Sequence, residues 1–152
     1  EFFTQYFANA KYNVKADLEF SSFAGKFGSW LGEKWLGGIE KKMNEAAKNF
    51  RYFEPDRNIH SEAESAKRIL SLAAQFGEGW LIPAEFASFA ERGINAAISL
   101  QPFGCIANHI VAKGIEKKVK ELYPDMNLLF LDFDGGVSEV NVLNRLHFLV
   151  NM

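Results

Sequence analysis

Cys105 is the single cysteine of the chain, set in the stretch SLQPFGCIANHIVAKG, Ser99 to Gly114. Pro102 and Gly104 make a turn that presents the thiol, and Asn108 and His109 follow where a helix is predicted to begin. A thiol at a helix start is shifted toward thiolate, because unpaired N–H groups and the helix dipole favour negative charge there. Such a thiolate is a nucleophile, a redox centre or a metal ligand. The alternative is a small apolar side chain in a tight turn. Cys105 and His109 share a face at i and i+4 only if the helix already includes Cys105. One thiolate does not fill a zinc or iron–sulfur site, which takes several Cys or His ligands.

A second polar group lies in NLLFLDFDGGVSEVN, Asn127 to Asn141, with Asp132, Asp134, Ser138, Glu139 and Asn141. Within it, LFLDFDGG resembles the first motif of the haloacid-dehalogenase phosphatases, an apolar strand followed by Asp-x-Asp-Gly. That resemblance implies Asp132 as nucleophile and Asp134 as general acid. Gly136 stands where that motif has threonine. The competing reading is a strand end followed by a helix start capped by Asp134 or Ser138. No lysine of the phosphate-loop pattern accompanies the glycines.

Two short strands must position these groups. INAAISL, Ile94 to Leu100, and NLLFLDF, Asn127 to Phe133, are apolar runs bounded by turn residues, which reads as buried strands. Between them a helix is predicted from about Asn108 to Tyr123, with Val111, Ile115, Val119 and Leu122 on one face and Pro124 at its end. Ser138 opens a last helix through Val142, Leu146 and Leu149. Strand, helix, strand, helix is a parallel βαβα unit with a right-handed crossover. In such sheets ligands gather at the carboxyl ends of the strands. Gln101, Cys105, Asn108 and His109 on one loop should therefore lie beside Asp132, Asp134, Ser138, Glu139 and Asn141 on the other. Two strands are few for a parallel sheet, so a further strand is expected from the N-terminal part or from the rest of a longer polypeptide.

Upstream the pattern is helical. Leu31, Trp35, Ile39, Met43, Ala46 and Phe50 recur every three or four residues as one apolar stripe. FSSFAGKFGSW before it reads as loop, and RYFEPDRNIH, Arg51 to His60, as a linker. Ser61 and Glu64 form a capping-box pattern for a second helix with Ala63, Ala66, Leu70 and Ala73 inward and FGEGW as its stop. A third helix begins near Pro83, buries Phe86 and Phe89, and ends at Gly93. The division expected is a helical segment and linker over 1–60 and an α/β domain over 61–152. Trp30, Trp35 and Trp80 read as core or interface residues, and His60 and His147 as incidental.

Composition narrows the function classes. Of 152 residues 48% are hydrophobic and 15 are Phe, which is the content of a folded chain. A net charge of -2 offers no basic field for nucleic acid, and no polybasic tract marks a membrane surface. The longest apolar runs, about seven residues, fall far short of the ~20 that span a bilayer. One cysteine builds no disulfide framework, so a cytoplasmic location is expected. The chain opens on Glu1-Phe2-Phe3, as a piece of a longer polypeptide would.

EGWLIPAEF, LQPFGCIANHIVAKG and LYPDMNLLFLDFDGGVSEVNVLNRLHFLV together resemble the C-terminal region of 2-hydroxyacyl-CoA dehydratase activase-like proteins, also described as CoA-substrate-specific enzyme activases. The resemblance runs from about Gly77 to Val150 and is loose before that. It implies an anaerobic system in which ATP drives a low-potential electron into an iron–sulfur protein. It implies Cys105 as one ligand of a cluster such as 4Fe–4S, with Asn108 and His109 around it. The remaining ligands and the ATP site would lie elsewhere in the parent polypeptide, and a dehydratase or reductase component would be the partner. No complete cluster and no activity are expected of this chain alone. The alternatives are the phosphohydrolase reading of Asp132 and Asp134, and a non-catalytic interaction domain.

Overall fold

The computed structural model describes residues 2–19, 22–55 and 57–151. Helix and a small parallel sheet make up the fold, an α/β arrangement with a helical N-terminal part. The chain divides into two compact units, Glu1–Glu64 and Ser65–Met152.

The first unit is built on α1, Phe2–Lys15, and α2, Phe23–Ala47. Helix α1, which the sequence reading did not single out, buries Thr4, Gln5, Ala8 and Tyr12, a four-residue spacing that keeps one face inward. Helix α2 starts at Phe23, eight residues earlier than the loop reading of FSSFAGKFGSW allowed; Phe20 and Ser21 of that stretch lie outside the described residues. Gly25 and Gly28 each cost about 1 kcal/mol against alanine in a helix interior, and propensity alone reads them as loop. Packing overrides it: a Cβ on Gly32 would stand 2.5 Å from the Phe7 ring, so glycine there lets α1 and α2 approach. Thr4 Oγ1 donates to Glu40 Oε1 at 2.7 Å on the same side.

Helix α3, Ile59–Ala66, corrects the predicted start at Ser61 and the predicted reach to Ala73. Asn58 caps it: its Oδ1 accepts from His60 N at 2.9 Å, and its carbonyl accepts from Ser61 N and Glu62 N. Ser61 Oγ instead accepts from Arg57 Nη2 at 3.1 Å. Burial of Ile59 draws the helix start upstream, so Ile59 and His60 leave the predicted linker, of which Asp56 lies outside the described residues.

Tyr12 ties this unit together, with its hydroxyl 2.9 Å from His60 Nδ1. Burial, then the carboxylates of Glu64 and Glu33, push the phenol up to about 12. The folded state therefore holds the Tyr12 proton more tightly than the unfolded chain, where tyrosine titrates near 10. Its contribution is complete below about pH 10 and is lost as pH rises through about 12. Tyr12→Phe is expected to flatten this alkaline decline in stability, read by urea midpoints against pH. A wild-type midpoint that does not fall between those values overturns it.

In the second unit α4, Leu81–Glu91, carries Pro83 in its first turn and buries Trp80, Leu81, Ile82, Ala84, Phe86 and Ala87 along with it. Gly93, at φ +78, takes the left-handed position after the helix, as expected. Strands β1, Ala96–Pro102, and β2, Asn127–Phe133, pair in parallel with Ala96 beside Asn127 and Pro102 beside Phe133. Alternation along β1 sends Ala97, Ser99 and Gln101 inward and Ile98 and Leu100 outward. The core gathers Ile82 and Phe86 of α4, Ala97 of β1, Phe130 of β2, and Ala112, Ile115, Val119 and Met126 of the crossover. The described N-terminal residues form no strand, and β1 and β2 are the strands of the described chain.

The crossover is not the single regular helix predicted from Asn108 to Tyr123. It opens as a π-helical turn, Ala107–Ala112, and continues after a break at Ile115 as α5, Glu116–Leu122. Ala107 and Ala112 are both buried, five residues apart. A regular helix would rotate two such positions well away from each other, whereas a wider turn brings both onto the core. The last helix α6, Glu139–Val150, lies against β2 with Val142, Leu146 and Leu149 half-buried, and Arg145 Nη2 donates to the Phe130 carbonyl at 2.7 Å.

Candidate functional site

Strand register places Gln101 directly beside Asp132 at the carboxyl rim of the sheet. Phe103 N donates to Phe133 O at 3.1 Å, so the pairing runs on into the two loops before they part. After β1 the chain turns through Gly104, at φ +77, with Cys105 N donating to Pro102 O at 3.1 Å. The turn sets Cys105, half-buried, at the foot of the π-helical turn.

The cysteine sulfur sits among donors. Asn108 Nδ2 lies 3.1 Å from Sγ. That contact, and then the backbone N–H of Asn108, draw the thiol below its ordinary value. Burial and the Glu78 carboxylate act in the opposite direction and do not prevail. A cradle of N–H groups favours thiolate for the same reason that helix starts bind anions: the donors have no other partner.

Gln101 braces the turn from below. Its Nε2 donates to the Asn108 carbonyl at 2.8 Å, and its side chain is fully buried, with no hydrogen-bond partner for Oε1 among the described residues. His109 Nδ1 donates to the Cys105 carbonyl at 3.0 Å, which fixes the ring over the turn. Its Nε2 lies 3.4 Å from Asp132 Oδ1, and Lys113 Nζ lies 3.3 Å from the same oxygen. The sulfur-bearing loop and the end of β2 are thus linked by a polar chain running from Cys105 through His109 to Asp132.

The acidic loop beyond Asp132 goes elsewhere. Asp134 Oδ1 accepts from Gly136 N at 2.8 Å, closing its own turn. Ser138 is the residue before α6 but makes no side-chain cap bond. Ser138, Glu139 and Asn141 are exposed, and no polar contact among the described residues joins them or Asp134 to Cys105. Lys113 and Glu78, which sequence reasoning did not single out, do act on the group. Lys113 stands four residues after His109, so its spacing was a usable signal. Glu78 is far from Cys105 along the chain and only folding brings its charge near.

The donor set decides what the site can hold. Among the described residues no three His, Cys, Asp or Glu side chains converge on one point. A cluster held by four thiolates does not fit this chain by itself; what fits is a single thiolate ligand or a reactive thiol. Asn108→Ala is expected to slow alkylation of Cys105 by iodoacetamide severalfold at neutral pH and to move the rate profile to higher pH, because the largest thiolate-stabilising donor is gone. An unchanged profile would remove Asn108 from the account. No helix among the described residues is long and apolar enough to cross a membrane. Comparison of the chain with protein-family models, characterised proteins and solved structures finds no match.

Proposed function

We propose that this chain is the α/β domain of a 2-hydroxyacyl-CoA dehydratase activase-like iron–sulfur protein of the cytoplasm, serving ATP-driven low-potential electron transfer. The observation that carries the reading is the Asn108 amide nitrogen 3.1 Å from the Cys105 sulfur at the carboxyl rim of a parallel sheet. A ligand thiolate needs such donors, since N–H groups around sulfur both hold the anion and tune a cluster's potential. Cys105 supplies one ligand, and the rest of the parent polypeptide supplies the others together with the ATP site. A bound cluster would provide the one-electron chemistry. Asn108 keeps the sulfur deprotonated, while Gln101 and His109 hold the turn that carries it. A dehydratase or reductase component is the electron partner.

Anaerobic reconstitution of the full-length parent protein tests this, with iron and sulfide counted for wild type and for Cys105→Ser. The variant is expected to lose cluster iron while keeping its circular dichroism spectrum. Equal iron in both proteins sinks the proposal.

A further inference from the structure

Helix α2 is packed inside out. Its half-buried residues are Ser29, Gly32, Glu33, Leu36, Glu40, Asn44 and Ala47, and on this side Gly32 meets Phe7 and Glu40 meets Thr4 of α1. Phe23, Phe27, Leu31, Trp35, Ile39 and Met43 are all exposed. These six stand at strict four-residue intervals and form one continuous ridge along the helix. Phe23 is 87% exposed, Phe27 54% and Trp35 67%, and Trp30, off the ridge but with its ring 5.9 Å from that of Phe27, adds 53% to the same patch. With ~150–250 Å² of surface per aromatic ring, these four leave roughly 500 Å² open before the three aliphatic side chains are added. That by itself reaches the largest apolar patch of an ordinary monomer, about 300–600 Å². With Leu31, Ile39 and Met43 it approaches the ~800 Å² per partner of a specific interface.

The shape of the ridge selects its occupant. Four residues advance about 40° beyond a full helical turn, so the ridge winds through about 200° from Phe23 to Met43. A flat bilayer surface touches one side of a helix and leaves half of such a ridge in water. A second helix crossing at about -50° packs against a four-residue ridge directly. The pattern also reads the same from either end about Glu33. Phe23 answers to Met43, Phe27 to Ile39 and Leu31 to Trp35, while Gly28 answers to Gly38. A Cβ on Gly28 or Gly38 would meet nothing within 4 Å, so an open furrow flanks each side of the ridge. Large residues beside furrows, repeated with reversed direction, are the self-complementary surface that a two-fold contact requires.

From this we infer that α2 pairs antiparallel with α2 of a second copy, setting Leu31 against Trp35 of the other chain and Phe27 against Ile39. The ordered helix layer is then α1, α2, and the same two from the other copy.

Light scattering on the 152-residue chain at high micromolar concentration is expected to give twice its 17.1 kDa mass. Leu31→Glu and Trp35→Glu should each halve that mass with helicity retained, and Phe148→Glu, an exposed apolar site of the other unit, should leave it doubled. In a Cys105→Ser background, oxidising a mixture of Phe27→Cys and Ile39→Cys chains should link unlike chains in preference to like ones. A monomeric wild type, a dimer that survives both Glu variants, or a preference for like-chain links overturns the inference. So does monomeric binding to phosphatidylserine vesicles without self-association, which would assign the ridge to lipid.

Discussion

Gly79→Ala is expected to destabilise the second unit by about 2–5 kcal/mol, the sum of a left-handed backbone penalty and an unrelieved overlap. Gly79 sits at φ +43, and a Cβ there would lie 2.1 Å from the Ala74 carbonyl oxygen and 2.9 Å from its carbon. These are backbone atoms, and the same oxygen accepts from Trp80 N at 2.8 Å, so it has no direction in which to yield. The turn feeds Trp80, fully buried, into α4. Gly93 is the control. At φ +78 it has nothing within 4 Å of where a Cβ would stand, so Gly93→Ala should cost only the backbone share, about 1–2 kcal/mol. Urea unfolding followed through Trp80 fluorescence, with Trp30 and Trp35 replaced by Phe, reads both. Equal losses at the two glycines would refute the steric account.

Phe130→Ala should cost about 3–5 kcal/mol by the same measurement, the range for emptying an aromatic core position. Phe130 is buried in β2 and meets Phe86 of α4 edge to face, with ring centroids 6.4 Å apart at 90°. It stands two residues before Asp132, and its carbonyl receives Arg145 of α6. One side chain thus joins strand, α4 and the rim that carries the polar group. Phe130→Leu keeps most of the volume and should cost less than about 1.5 kcal/mol. A leucine variant as unstable as the alanine one would mean that ring geometry, not filled volume, holds this core.

Much of the α/β unit was legible because its signals are local. Both strands are short apolar runs, α4 carries its own Pro83 and Gly93, and α6 shows its inward face in Val142, Leu146 and Leu149. The errors lie where local chemistry competes with packing. Glycines read Phe23–Trp30 as loop, and contact with α1 made it helix. Ser61 looked like a cap, and burial of Ile59 handed that role to Asn58. Regular periodicity joined Asn108 to Tyr123, and the need to bury both Ala107 and Ala112 widened the first turn instead.

The sequence by itself determined which residues share a face, since strand and helix periods are properties of the backbone. It put Gln101, Cys105, Asn108 and His109 on one loop, and Leu31, Trp35, Ile39 and Met43 on one helix. Only tertiary structure decided what each face meets. Register brought Asp132 to the rim beside His109, folding brought the Glu78 charge toward the sulfur, and α1 took the side of α2 that carries Gly32 and Glu40 and left its aromatic side outward. Periodicity carries no information about partners, because contact between distant segments depends on shape and charge that no single segment contains.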